Sequence, residues 1–301
     1  MRKKSRLDEM FDGAAGKEFK MSALWNSTKT ALLMGGLMGL ALGIGYLIGG
    51  PGAMAIALAL GGAVNLIAFF FSDKIALATM RAQQVTEQDD PALWRTVATL
   101  SRQANLPMPR VYISPTPAPN AFATGRGPKH SAVCVTAGLR QLLNEQELAG
   151  VVAHELAHIK NRDILISTIA AMIAGAISYL AYMAMWFGGG RDDEDSPNPL
   201  VGLLLMIFAP LAAMLIQMAI SRSREYEADR FGAELAGSPR GLARALEKLE
   251  QGASQIPLPV MDAQRNMFIV EPLTGMKVAR LFMTHPPVED RVRRLLAMKG
   301  R

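Results

Sequence analysis

Four long stretches of this chain carry no charged residue: 31–48, 53–71, 164–187 and 200–220. Each is close to the ~20 apolar residues that cross the hydrocarbon layer of a bilayer as a helix. Core helices of soluble proteins are shorter and amphipathic. The runs therefore predict four membrane-spanning helices arranged as two hairpins. For the second pair, a helical hairpin that only partly enters the membrane is the other reading. Composition agrees with a lipid location. Half of the residues are hydrophobic and only 19% are charged, against about 25% for soluble domains.

Charge distribution then sets an orientation. If all four runs span and residues 1–30 are cytoplasmic, 31 of the 32 Lys and Arg residues fall on the same side. That is the bias that fixes membrane topology. The other side holds residues 49–52 and 188–199, with Arg191 beside the acidic run Asp192, Asp193, Glu194 and Asp195. The net charge of +6 therefore reads as an orientation signal with a lipid partner, and nucleic acid is not expected. The first apolar run begins after a polar stretch and is too long for a signal-peptide core, so it reads as an uncleaved anchor. A single cysteine, Cys134, fits a reducing compartment.

The predicted organisation is a polar arm (1–30), a transmembrane hairpin (31–71), a first catalytic segment (72–163), a second hairpin (164–220) and a second catalytic segment (221–301). The two catalytic segments are long enough for one compact cytosolic domain. Helices are expected at 90–104, 221–236, 240–250 and after Pro287. Strands are expected at 110–114 and 131–136. Asn144 with Glu147 forms the pattern of a capping box, placing a helix start just before His154-Glu155-Leu156-Ala157-His158.

On a helix, His154 and His158 project from one face and can reach one tetrahedral zinc ion. Glu155 lies about 100° round the helix, placed to take the proton of a zinc-activated water without binding the metal. The plain alternative is two histidines hydrogen-bonded on a buried helix. A three-ligand site needs another donor, and Glu225 and Glu227 are the acidic candidates after the second hairpin.

The His-Glu-x-x-His helix running into an apolar hairpin, then Arg224-Glu-Tyr-Glu-Ala-Asp229, then Thr284-His-Pro-Pro287, resembles the HtpX family of prokaryotic membrane zinc peptidases, which is related to the CAAX prenyl endopeptidases. The likeness covers nearly the whole chain from the first apolar run onward. It implies a mainly helical α+β gluzincin-type domain on the cytoplasmic face of a bacterial inner membrane. It implies one zinc ion per chain and an endopeptidase role in membrane-protein quality control and stress response. Misfolded or damaged membrane proteins would be substrates, and self-cleavage would accompany this activity. By the same resemblance, Glu225 is the third ligand, Asp229 supports a ligand, His285 faces the oxyanion, and Arg291 holds His285 or its neighbouring backbone.

Helical register agrees on Glu225. Residues two apart differ by 200°, so Glu225 and Glu227 cannot both face one metal. The Glu225 side carries Ala228, Asp229, Gly232 and Ala236, whereas Glu227 lies near Arg224, Arg230 and Glu234 on a face that reads as solvated. Asn120, Ala121, Phe122 and Ala123 follow a Pro-rich turn and suit an exposed edge strand; an ordinary β-turn with Phe122 in the core is the other reading. Such an edge can hold an extended peptide through its backbone, and the family uses this region in that way.

An intramembrane site-2-type protease also uses His-Glu-x-x-His, but within a spanning helix. Here Glu145, Glu147, Lys160, Arg162 and Asp163 flank the motif. A scaffold with a vestigial site would lack Glu155, which is intact. A CAAX-type processing enzyme is the third alternative.

Overall fold

The computed structural model describes residues 73–187, 199–255 and 286–298, with scattered positions between 28 and 71. The first expected hairpin and the polar arm therefore lie almost wholly outside the described residues.

The catalytic segments form a small sheet backed by helices. In chain order the elements are β1 (Gln83–Gln84), α1 (Pro91–Gln103), β2 (Arg110–Ser114), β3 (Ala121–Gly127), β4 (His130–Thr136), α2 (Ala137–Leu142), α3 (Glu145–Asn161), α4 (Asp163–Phe187), α5 (Pro199–Leu235), α6 (Pro239–Gln255) and α7 (Val288–Ala297). The strands lie in the order β1-β2-β4-β3, with β2 parallel to β4 and the other pairs antiparallel. This order leaves β3 at an edge.

Strand alternation divides the sheet's side chains between two clusters. Val111, Ala121, Val133 and Val135 join the helical core, while Phe122, Ala132 and Cys134 pack with Leu77 and Met80. Phe122 is thus a core residue, and only the backbone of this expected peptide-binding segment remains at the edge. Asn120 is also buried: its amide donates to Thr136 Oγ1 at 2.8 Å and its carbonyl accepts from the Thr136 amide at 2.9 Å. Burial pushes the Cys134 thiol up to about 12. A thiol reagent at pH 8 should leave native protein unlabelled and label it stoichiometrically in denaturant, because only the thiolate reacts. Fast labelling of the native protein would contradict the burial.

The centre of the domain is α3. Its N-terminus is closed by reciprocal bonds at 3.0 Å, from the Glu147 amide to Asn144 Oδ1 and from the Asn144 amide to Glu147 Oε2. From Glu147 to Ile159 nearly every residue is buried, because α1, β3, α5 and α6 pack around it. Lys248 on α6 reaches Glu147 at 2.7 Å, so the polar cap is neutralised where it enters the core.

The second apolar pair is helical, with one difference from expectation. The span and the predicted 221–236 helix are a single 37-residue helix, α5. Nothing between Ile220 and Ser221 breaks helical geometry; the sequence changes only in polarity. On α5, Leu203, Ile207, Leu211 and Leu215 recur every fourth residue and are exposed, as are Leu204 and Phe208. Ala209 and Ala213 turn inward against Ile173 and Ile177 of α4 and against Ala41 and Ile44. A large-residue stripe facing out with small residues facing in is the pattern of a helix packed in lipid. Among the described residues one helical stretch, Met206–Leu235, is long and apolar enough to cross a membrane; the apolar stretch of α4, Asp163–Ser178, is shorter.

Candidate metal centre

Both histidines of α3 project towards α5, as four-residue spacing requires. Their Nε2 atoms lie 3.1 Å apart. Glu225 of α5 meets them, with Oε2 at 3.6 Å from His154 Nε2 and Oε1 at 3.5 Å from His158 Nε2. One donor atom from each of the three residues lies within 4.8 Å of the others. Glu227 points elsewhere, pairing with Arg230 at 2.5 Å.

The close approach of α5 to α3 depends on Gly232. A Cβ there would stand 2.8 Å from the His154 amide nitrogen and 2.9 Å from its Cα. These are backbone atoms and cannot swing away. Gly232→Val should cost about 1–3 kcal/mol through overpacking and weaken zinc binding by separating Glu225 from the histidines. Wild-type thermal stability and zinc affinity in that variant would contradict this.

Behind His154 stands a buried polar group. His154 Nδ1 is 3.0 Å from Asp229 Oδ1. Arg291 of α7 donates to both Asp229 oxygens, Nε to Oδ2 at 2.8 Å and Nη2 to Oδ1 at 2.6 Å. Its Nη1 also lies 3.4 Å from Glu225 Oε2. Burial pushes the Asp229 carboxyl up, but the Arg291 guanidinium outweighs it and holds the group below the usual carboxylate range. Burial likewise acts to lower the Arg291 pKa, and Asp229 overrides it, holding the guanidinium above its ordinary value. Both shifts favour the charged forms of this buried ion pair. Arg291 thus touches Asp229, Glu225 and His154; His285, which it was expected to hold, lies outside the described residues.

Glu155 turns from the donor cluster towards the edge strand. Its Oε2 accepts from the Ala123 amide at 2.6 Å. That amide was expected to serve a bound peptide; here it is engaged with the carboxylate. Strand period places the Ala121 and Gly125 amides on the same side as that of Ala123.

Two further residues were not anticipated. His158 Nδ1 is 2.6 Å from Asp163 Oδ2, and Asp163 Oδ1 pairs with Arg224. Arg224 had been placed on the solvated face, yet it is only 9% exposed, because α5 packs on the α3–α4 junction as well as on α3. The legible signal was an aspartate five residues after the second histidine, at the start of the next helix.

The donor set suits zinc. A carboxylate only accepts hydrogen bonds, so His158 Nδ1, bonded to Asp163, carries the proton and leaves Nε2 its lone pair for a metal; Asp229, 3.0 Å from His154 Nδ1, favours the same tautomer there. Two imidazoles and a carboxylate are the protein ligands of one class of catalytic zinc site, in which water or substrate takes the fourth position. The sequence profile of Peptidase family M48 matches residues 87–299.

The chain belongs to peptidase family M48. As an M48 peptidase it is a membrane-associated zinc metalloendopeptidase. Similar proteins named Protease HtpX homolog come from Persephonella marina (53% identical over 284 residues, 92% of this chain and 98% of that protein) and Syntrophotalea carbinolica (54% over 276 residues, 90% and 98%). They bear out the resemblance read from the motifs. A crystal structure of S. mikatae Ste24p shares the M48 chain's fold with a TM-score of 0.58 at 18% identity, over 92% of this chain and 66% of that one.

Proposed function

We propose that His154, His158 and Glu225 hold one zinc ion per chain, and that Glu155 is the general base for peptide-bond hydrolysis. The observation that supports this best is the convergence of three donors beside a carboxylate that is tethered to an edge strand. When bound, zinc supplies Lewis acidity, lowering the pKa of a water towards neutrality and polarising a carbonyl. Glu155 takes the proton from the attacking water and returns it to the leaving amine. Asp229 holds the His154 tautomer, and Arg291 pairs with Asp229 while lying beside Glu225, offsetting part of the negative charge on α5. His285 serves the oxyanion. The backbone of Ala121 and Ala123 lines up an extended substrate; on binding, the Ala123 amide exchanges its bond to Glu155 for one to the peptide. The Phe122 side chain anchors the strand.

In the membrane, residues 31–71 and 164–220 form two hairpins, with 1–30, 72–163 and 221–301 on the cytoplasmic side of a bacterial inner membrane. The near one-sided distribution of Lys and Arg supports this orientation. Glu225 follows the last apolar run by five residues, which sets the active site at the membrane surface. Misfolded or damaged membrane proteins are the substrates that such a location serves, in a quality-control role, with self-cleavage as a side reaction. The test is titration of metal-free protein with zinc against soluble casein in detergent. Activity should return with one equivalent of zinc. Activity that persists after chelation would overturn the proposal, and failure to cut any soluble chain would favour an intramembrane site.

A further inference from the structure

The two histidines of the donor set are supported by different parts of the chain. Behind His154 stand Asp229 and Arg291. Behind His158 stand Asp163 and Arg224, which occupy the base of the α4–α5 hairpin. Asp163 opens α4 directly after Arg162, whose positive φ of 56° ends α3 and turns the chain. Arg224 follows the apolar run of α5 by four residues. Both side chains are nearly inaccessible, and Arg224 Nη2 also donates to the Asn161 carbonyl at 3.3 Å. Arg224 therefore ties the end of α3, the start of α4 and its own helix together.

We infer that Asp163 is a positioning residue for His158 and that Arg224 holds Asp163, so that the two ends of the apolar hairpin jointly fix the second metal-ligating histidine. The inference rests on the zinc site proposed above. Its chemistry is the same as that of the His154 side. An imidazole whose Nδ1–H is bound by a fixed carboxylate keeps one tautomer and one ring orientation, and its Nε2 becomes a better donor. A carboxylate this deeply buried also needs a cation, because an unpaired buried charge is strongly unfavourable. Arg224 provides it from the far leg of the hairpin. Displacing one leg against the other would therefore release the His158 ring without touching any ligand.

The experiment uses the full chain in detergent, with Asp163→Ala, Asp163→Asn, Arg224→Met and Arg224→Lys beside wild type. Zinc dissociation constants are read by competition with a chromophoric chelator, the visible spectrum is recorded after cobalt loading, and melting is followed without metal. Asp163→Ala should weaken zinc about 10–100-fold and change the cobalt spectrum, with Asp163→Asn intermediate. Arg224→Met should shift both in the same direction, and Arg224→Lys should recover part of the loss. The double variant Asp163→Ala/Arg224→Met should be no weaker than Asp163→Ala, as expected for residues acting through one chain of contacts. Lower metal-free melting with unchanged zinc affinity and cobalt spectrum would overturn the inference, leaving a merely structural role. If Asp163→Ala does not fold, Asp163→Asn and Arg224→Met decide on the same criteria. Wild type that binds no zinc would sink the proposed site itself; wild type and variants binding zinc equally would sink only this inference.

Discussion

Glu155→Gln is expected to keep one zinc per chain and to lower kcat by about 10²–10⁴-fold, the range for loss of a positioned general base. The substitution is close to isosteric, and the glutamine carbonyl can still accept from the Ala123 amide that now reaches Glu155 at 2.6 Å. Geometry is preserved and only proton affinity is lost. No donor atom of Glu155 belongs to the cluster formed by His154, His158 and Glu225, so metal content should not move. Bound zinc by atomic emission and turnover of casein, measured on one preparation, separate the two effects. Retained turnover, or a loss of zinc, would remove Glu155 from the role of base.

The second large effect is expected on α5. Glu225→Ala should lose zinc at concentrations that saturate wild type, while Glu227→Ala should retain it and remain active. Glu225 faces both histidines at 3.5–3.6 Å. Glu227 instead closes a pair with Arg230 that extends to Glu234 at 3.4 Å; its loss costs about 0–1 kcal/mol, as for partly exposed pairs. Removing Glu225 also takes one of the two carboxylates on α5 away from the buried Arg291, so a modest loss of stability should accompany the loss of metal. Zinc lost from Glu227→Ala and kept by Glu225→Ala would mean that the helical register is wrong.

Much of this site was legible because its chemistry is local in sequence. A four-residue spacing on one helix places both histidines, and a four-residue spacing on another places Glu225 beside Asp229. The capping box before α3 and the strands at 110–114 and 131–136 could be read for the same reason. Other parts were hidden. β1 is two polar residues with no alternation to detect, and α2 is a six-residue helix. The boundary drawn at Ser221 followed polarity, whereas the backbone follows hydrogen bonding and continues as a helix. Asp163 and Arg224 are ordinary flanking charges until the hairpin folds and brings its ends together. Nothing in either segment alone announces that pairing.

The order in which the chain is made now acquires a meaning. The two histidines precede the hairpin and Glu225 follows it, so the proposed donors emerge roughly 70 residues apart. At about 5–20 residues per second, the histidine helix exists for several seconds before its carboxylate partner is synthesised, and Arg291 arrives later still. A half-made protease carries an incomplete centre throughout that interval. With the proposed donors divided in this way, the centre can be complete only after the hairpin has been laid down between its two halves.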